Sequence, residues 1–221
     1  MWKIVAISDT HKMHHQMHNP IPDGDVLIHA GDNDIVEMED LVKFLAWFNS
    51  MPHKYKILIA GNHDFMFEDH YNEAMLGLQN FSDVIYLQDS GTTISKEGER
   101  NLNVWGSPWQ PWFHNWAFNI REESDRKKIW DKIPDDTDIL ITHGPPANHG
   151  DVTQYGVPTG CNALLEAIKR VKPNAHIFGH IHEGYGITME GETICANAAI
   201  CSFKAGFRMV PDNAPLEFEI K

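Results

Sequence analysis

Cysteine is scarce in this chain: Cys161, Cys195 and Cys201 form no C-x-x-C pair and leave at least one thiol unpaired, which suits a reducing cytosol. Positive charge is also in short supply, with 18 Lys and Arg against 31 Asp and Glu and a formal net charge of -13. Polyanions are held mainly by Lys and Arg at their phosphates, so broad nonspecific adhesion to nucleic acid or an anionic membrane is not expected. A small phosphorylated substrate, including a nucleotide, stays open, because bound cations can reverse the sign of the local field. No hydrophobic run approaches membrane-spanning length, and the opening strand from Trp2 to Ile7 is too short for a signal peptide, so a cytoplasmic location is the default. There is no G-x-S-x-G, no Walker loop and no low-complexity tract.

What is present is an ordinary globular composition, 42% hydrophobic and 22% charged, in 221 residues that need no linker. One domain, 1–221, is expected. Short apolar runs at Lys3 to Ser8, Val26 to Ala30, Lys56 to Ala60, Ile139 to Thr142 and His176 to Phe178 read as buried strands. Between them, Met38, Leu41, Val42, Leu45 and Phe48 keep a helical period, as do Leu164, Leu165, Ile168 and Val171 before Pro173 closes that helix. Val84 to Gly106 and the tail after Gly186 look like further strands. Alternating strand and helix predict an α/β layer architecture of two packed sheets flanked by helices.

Each of the five apolar runs ends in residues that bind transition ions: Asp9-Thr-His11, Gly31-Asp32, Gly61-Asn62-His63-Asp64, His143-Gly144 and Gly179-His180-Ile-His182. Ligands of α/β sheets bind beyond the carboxyl ends of the strands, where these segments lie. In an extended segment residues i and i+2 point the same way, so Asp9 with His11, and His180 with His182, are each expected to offer two ligands to one side. Gly31, Gly61 and Gly179 permit a sharp turn or a left-handed one. Singly the segments are weak: a D-x-H also reads as a turn aspartate beside a surface histidine, and His143 alone as a hydrogen-bonded core or loop residue. All five in this order are specific.

These blocks resemble those of the calcineurin-like metallophosphoesterase superfamily, from Ile4 to about Asn197. The chain is most similar to the MPPED-type branch in Tyr86-Leu-Gln-Asp-Ser-Gly91, Trp105-Gly-Ser-Pro-Trp-Gln-Pro-Trp112, Thr142-His-Gly-Pro-Pro146 and Gly179-His-Ile-His-Glu-Gly-Tyr-Gly186. The resemblance implies a four-layer αββα sandwich with two divalent metals, one held by Asp9, His11, Asp32 and His182, the other by Asn62, His143, His180 and a bridging Asp32. Mn²⁺, Fe²⁺, Co²⁺, Ni²⁺ and Zn²⁺ all suit such donors. The implied activity is phosphohydrolysis by in-line attack of a metal-bridging hydroxide, with small phosphodiesters such as 2′,3′- or 3′,5′-cyclic nucleotides as substrates. His63 is expected to act as general acid or transition-state stabiliser, with Asp64 orienting its ring or raising its pKa. The alternative is a catalytically weak or inactive scaffold or nucleotide-binding protein that keeps the fold.

Other residues are less telling. His14, His15 and His18 are expected to be solvated in preference to one touching substrate phosphate, and Asp34 to cap the following helix in preference to holding an outer-shell water. Trp105, Trp109, Trp112 and Trp116 read as core or lid packing before they read as a wall for a nucleobase. Gly144 to Gly160 reads as a long loop beside the metals that sets specificity. Cys161 has no adjacent base for covalent chemistry.

Overall fold

The computed structural model describes residues 1–204 and 208–221. Its strands are β1 (Trp2–Ile7), β2 (Val26–His29), β3 (Tyr55–Leu58), β4 (Val84–Tyr86), β5 (Ser90–Ile94), β6 (Leu102–Ser107), β7 (Gln110–Pro111), β8 (Asn119–Ile120), β9 (Ile139–Thr142), β10 (Ala175–Phe178), β11 (Gly186–Glu190), β12 (Thr193–Asn197), β13 (Ser202–Lys204), β14 (Arg208–Val210) and β15 (Leu216–Ile220). The helices are α1 (Met38–Asn49), α2 (Met66–Asp69), α3 (Tyr71–Leu78), α4 (Glu123–Trp130) and α5 (Asn162–Val171).

One sheet runs in the order β15-β1-β2-β3-β4 and the other β11-β12-β10-β9-β6-β5. Strands β1 to β4 pair in parallel, as do β6, β9, β10 and β12, while β15, β11 and β5 close edges in antiparallel fashion. Central parallel strands bury both faces, which is why they read as unbroken apolar runs.

Three apolar clusters define the layers. Ile4, Ala6, Ile28 and Ile57 of the first sheet meet Val104, Ile139, Ile141 and Ile177 of the second, forming the core between the sheets. The opposite face of the first sheet, with Val5, Ile7, Leu27 and Leu58, packs on Leu41, Phe44, Leu45 and Phe48 of α1 and on Ala74 and Leu78 of α3. Leu140 of the second sheet packs on Trp130 of α4 and on Leu164, Ala167 and Ile168 of α5. The order of layers is α, β, β, α, as the resemblance implies.

Helix α1 starts at a reciprocal capping box in which Glu37 and Asp40 bond each other's backbone amides. Helix α5 stops at Lys172, left-handed at φ 54°, just before Pro173. Helix α4 carries no clear apolar stripe: it buries only Trp130 among eight mostly charged residues, so its helical state follows from docking on α5.

Candidate metal centre

The ends of five parallel strands converge where the two sheets meet. Asp9 follows β1, Asp32 follows β2, Asn62 follows β3, His143 follows β9 and His180 follows β10. Ile7, His29 and Leu58 are in register across the first sheet, which sets the three following loops at one level. Cross-sheet bonds fix the second sheet against them: Ser8 bridges Ala199, and Nδ1–H of His143 donates to the Ala30 carbonyl at 2.9 Å. That bond leaves Nε2 of His143 facing inward, as a ligating imidazole requires.

All seven predicted ligands, Asp9, His11, Asp32, Asn62, His143, His180 and His182, come together. Ligand atoms that share one ion at bonds near 2.1 Å lie about 3.0–3.4 Å apart at tetrahedral or octahedral angles. Here Nε2 of His182 is 3.3 Å from Oδ1 of Asp9 and 3.3 Å from Nε2 of His11. Nε2 of His143 is 3.3 Å from Oδ1 of Asp32 and 2.9 Å from Oδ1 of Asn62. Three groups of donors could each hold an ion: Asp9-His11-His182 and Asp32-His143-His180, which flank Asp32, and His11-Asp34-His63 at the rim, which shares His11 with the first. Asp32 turns one oxygen to each side: Oδ1 faces His143, and Oδ2 lies 3.9 Å from Nε2 of His11.

The donor chemistry fits a cation. Burial alone would push Asp9 and Asp32 up, but His182 beside Asp9 and His143 beside Asp32 hold both carboxyls below the usual range. In return, and against their own burial, His11 and His143 are drawn up to about 9, His11 by Asp34 and Asp32 and His143 by Asp32. His180, dominated by burial and by the charge of His143, falls to about 3. Without an ion the carboxylates gather protons onto imidazoles, and a divalent ion displaces protons from such a site. Asn62 is fully buried, and its Nδ2 has no partner among the described residues.

The local geometry differs from the extended pairs expected from the sequence. Asp9, His11, Asp32 and His180 have φ of 52°, 43°, 62° and 68°. Each left-handed residue costs about 1–3 kcal/mol and persists only where its surroundings impose it. Tight turns, with His182 opening a short 3-10 turn, aim these side chains instead of a pleated strand. The glycines serve partly by close approach: a Cβ on Gly179 would overlap Oδ2 of Asp9, and one on Gly61 would overlap Oδ1 of Asp32.

Asp64 does not have the role expected for it. Its carboxylate is wholly buried and accepts backbone N–H bonds from Asp32 (2.9 Å), Asn33 (3.0 Å), Ile35 (3.0 Å) and Gly61 (2.8 Å), latching the loops after β2 and β3 together. With its oxygens committed to those amides, the group beside the His63 ring is Asp34. Oδ1 of Asp34 accepts from Nδ1 of His11 at 2.9 Å and lies 3.4 Å from Nδ1 of His63. Asp34 therefore does not cap α1, a task done by Glu37 and Asp40. From the sequence, capping outweighs an outer-shell role for Asp34, because a carboxylate shortly before a helix start looks like a cap; its left-handed φ of 57° turns it toward the histidines instead.

His63 is one-third exposed, with Nε2 4.0 Å from Oδ2 of Asp32, on the open side of the cluster. The tryptophans divide: Trp105 and Trp109 pack on the outer layers, Trp109 donating to Asp89, whereas Trp116 lies against His63 at 4.5 Å between ring centroids. His14 is not freely solvated, since its ring packs tilted against Trp47 at 4.5 Å between centroids. The 144–160 loop is an ordered hairpin, Val152 bridging Pro158 and Asp151 accepting from Asn148 and Gly160 at its neck.

A strand-end cluster of carboxylate, amide and imidazole donors between two sheets defines a class, metal-binding phosphoesterases, and the comparisons agree. The family model for Calcineurin-like phosphoesterase matches residues 3–184, and the chain belongs to that family. It is 37% identical to human metallophosphoesterase domain-containing protein 1 over 99% of this chain and 71% of that protein. A UPF0046 protein of Caenorhabditis elegans is 40% identical over 91% of this chain and 76% of its own. Among solved structures, the protein TT1561 of Thermus thermophilus superposes with a TM-score of 0.58 at 15% identity, covering 89% of this chain and 88% of that one. GAP50, the anchor in the inner membrane complex of Plasmodium, gives 0.54 at 12% identity over 98% and 80%. These two share the fold. Among the described residues no helix is long and apolar enough to cross a membrane.

Proposed function

We propose that the protein is a dinuclear metal-dependent phosphodiesterase acting on small substrates such as 2′,3′- or 3′,5′-cyclic nucleotides. The observation that carries this reading is Asp32, whose two oxygens face the two donor groups and so suit a carboxylate shared by paired ions. Bound divalent ions supply a water of lowered pKa and neutralise charge on phosphoryl oxygens, the two needs of a reaction whose barrier must fall by about 20 kcal/mol.

The chain's own residues do the rest. Asp9, His11, Asp32 and His182 would hold one ion, and Asn62, His143, His180 and Asp32 the other. Asn62 is neutral, so two carboxylates against two divalent ions would leave the site net positive toward an anionic substrate. His63, exposed beside the cluster, donates a proton to the departing oxygen as its bond to phosphorus breaks. The water oxygen forms the new bond, and the proton it sheds restores His63, leaving a phosphomonoester and an alcohol. Asp34 holds His63 and His11 at fixed angles. Mn²⁺ is a suitable first ion for a test.

Hydrolysis of bis-p-nitrophenyl phosphate with added Mn²⁺ should be abolished by EDTA and restored by fresh metal. On a 3′,5′-cyclic nucleotide, whose alkoxide leaving group needs a proton, His63→Gln should lower kcat by about 10²-fold to 10⁴-fold while metal content stays at the wild-type level, with a smaller loss on the nitrophenyl ester, whose anion departs unprotonated. Failure to turn over with any of several divalent ions sinks the enzyme reading in favour of an inactive scaffold.

A further inference from the structure

Four ring contacts form one row across the metal cluster. Trp116 lies 4.5 Å from His63, His63 5.1 Å from His11, His11 5.3 Å from His182, and His182 4.9 Å from Phe203, the last pair stacked at 21°. The middle of the row belongs to the metal ligands His11 and His182. Both ends are aromatic side chains that no ligand role explains.

The Trp116 end is built rather than incidental. Asn119 holds its loop, with Nδ2 donating to the carbonyls of Trp116 (2.8 Å) and His114 (3.0 Å) and Oδ1 accepting from Phe113 N–H (3.1 Å). Ala117 N–H donates to the carbonyl of Asn62, which ties the loop to a metal-ligand segment. Phe113 packs edge-on against Trp116 at 5.3 Å yet is 48% exposed, and Phe203 is 41% exposed. Large apolar rings left open around a charged centre point to a ligand that covers them.

We propose that Trp116 and Phe203 are specificity-determining residues that stack flat rings carried by the two arms of a phosphodiester. This rests on the phosphodiesterase reading above. The leaving oxygen must come within hydrogen-bond reach of His63, so the departing arm begins beside His63 and runs over Trp116. Phosphorus would lie over the donor cluster, so the arm it keeps would extend from His63 past His11 toward His182 and Phe203. A cyclic nucleotide, whose two esters share one sugar, engages one platform with its base; an open diester with a ring on each arm engages both. Aromatic stacking is tolerant of ring identity, so the class is defined by flat rings, not by one base.

Two diesters separate the platforms. In methyl p-nitrophenyl phosphate the aryl group departs and the kept arm is methyl; in bis-p-nitrophenyl phosphate both arms are rings. With Mn²⁺-loaded protein, Trp116→Leu should lower kcat/KM about tenfold on both esters, and Phe203→Leu about tenfold on the bis-aryl ester only. Trp116→Tyr, which keeps a ring, should recover most of the loss, and Trp112→Leu should change nothing. Metal content and inhibition by inorganic phosphate should be the same in all variants. Wild-type rates on both esters in the two leucine variants, or a loss in Phe203→Leu equal on both, would overturn the proposal. If the wild type hydrolyses neither ester, the phosphodiesterase reading fails, and calorimetry then decides the platforms alone. Diphenyl phosphate bound more tightly than dimethyl phosphate, with the difference lost in the leucine variants, supports them; equal affinities refute them.

Discussion

Asp34 and Asp64 flank the same loop junction, and their surroundings give them opposite work. Asp64 meets four backbone amides in a dry interior, while Asp34 meets two imidazoles at the rim. Asp64→Asn replaces one accepting oxygen by an NH₂ that faces amide donors, which should cost about 3 kcal/mol. For a chain of this length that is a fall in Tm of about 6–12 °C, measured by calorimetry. Asp34→Asn should leave Tm within about 2 °C and lower kcat or metal affinity about 10-fold to 100-fold, through looser His63 and His11 rings. A stable Asp64→Asn beside an unfolded Asp34→Asn would reverse the assignment. From the residues alone the ligands stood out because metal chemistry restricts their types, whereas supporting carboxylates look like any capping aspartate.

At the scale of elements, β10 places His176 in a fully buried position where Nε2 meets Oγ1 of Thr142 at 2.7 Å. Burial, with the charge of His149, lowers this imidazole to about 3 from the ordinary 6.5. Between those values the unfolded chain binds a proton that the folded chain refuses. Stability from this group is therefore complete above about pH 6.5 and falls at about 1.4 kcal/mol per pH unit below it. In urea unfolding between pH 7 and 5, where other buried histidines such as His180 add to the total, His176→Gln should flatten the slope by about one proton; equal slopes in wild type and variant would sink the idea. Strands such as β9 and β10 were legible because burial on both faces leaves mostly apolar side chains. Helix α4 was not, since a helix that touches the body through Trp130 writes almost no period into its sequence.

For the whole molecule, the donor cluster spans both sheets, with donors from loops after β1, β2 and β3 on one side and after β9 and β10 on the other, so an ion bound there would tie the sheets to each other. A ligand bound only by the folded state stabilises by about 2.7 kcal/mol at one hundred times its Kd. Chelation should therefore lower Tm by about 5–11 °C, reversed by readdition of metal, and the effect should vanish in Asp32→Ala. An unchanged Tm on chelation would show that no ion bridges the sheets. The central strands, the ligand types and the family were written in the sequence, because buried strands and metal donors each admit few residues at fixed chain positions. Which carboxylate supports which ring, the left-handed turns that aim Asp9, His11, Asp32 and His180, and the row of rings ending in Trp116 and Phe203 arose only in the fold. Those depend on distances between residues far apart in the chain, 87 positions in the case of Trp116 and Phe203 (203 − 116), which no local pattern encodes.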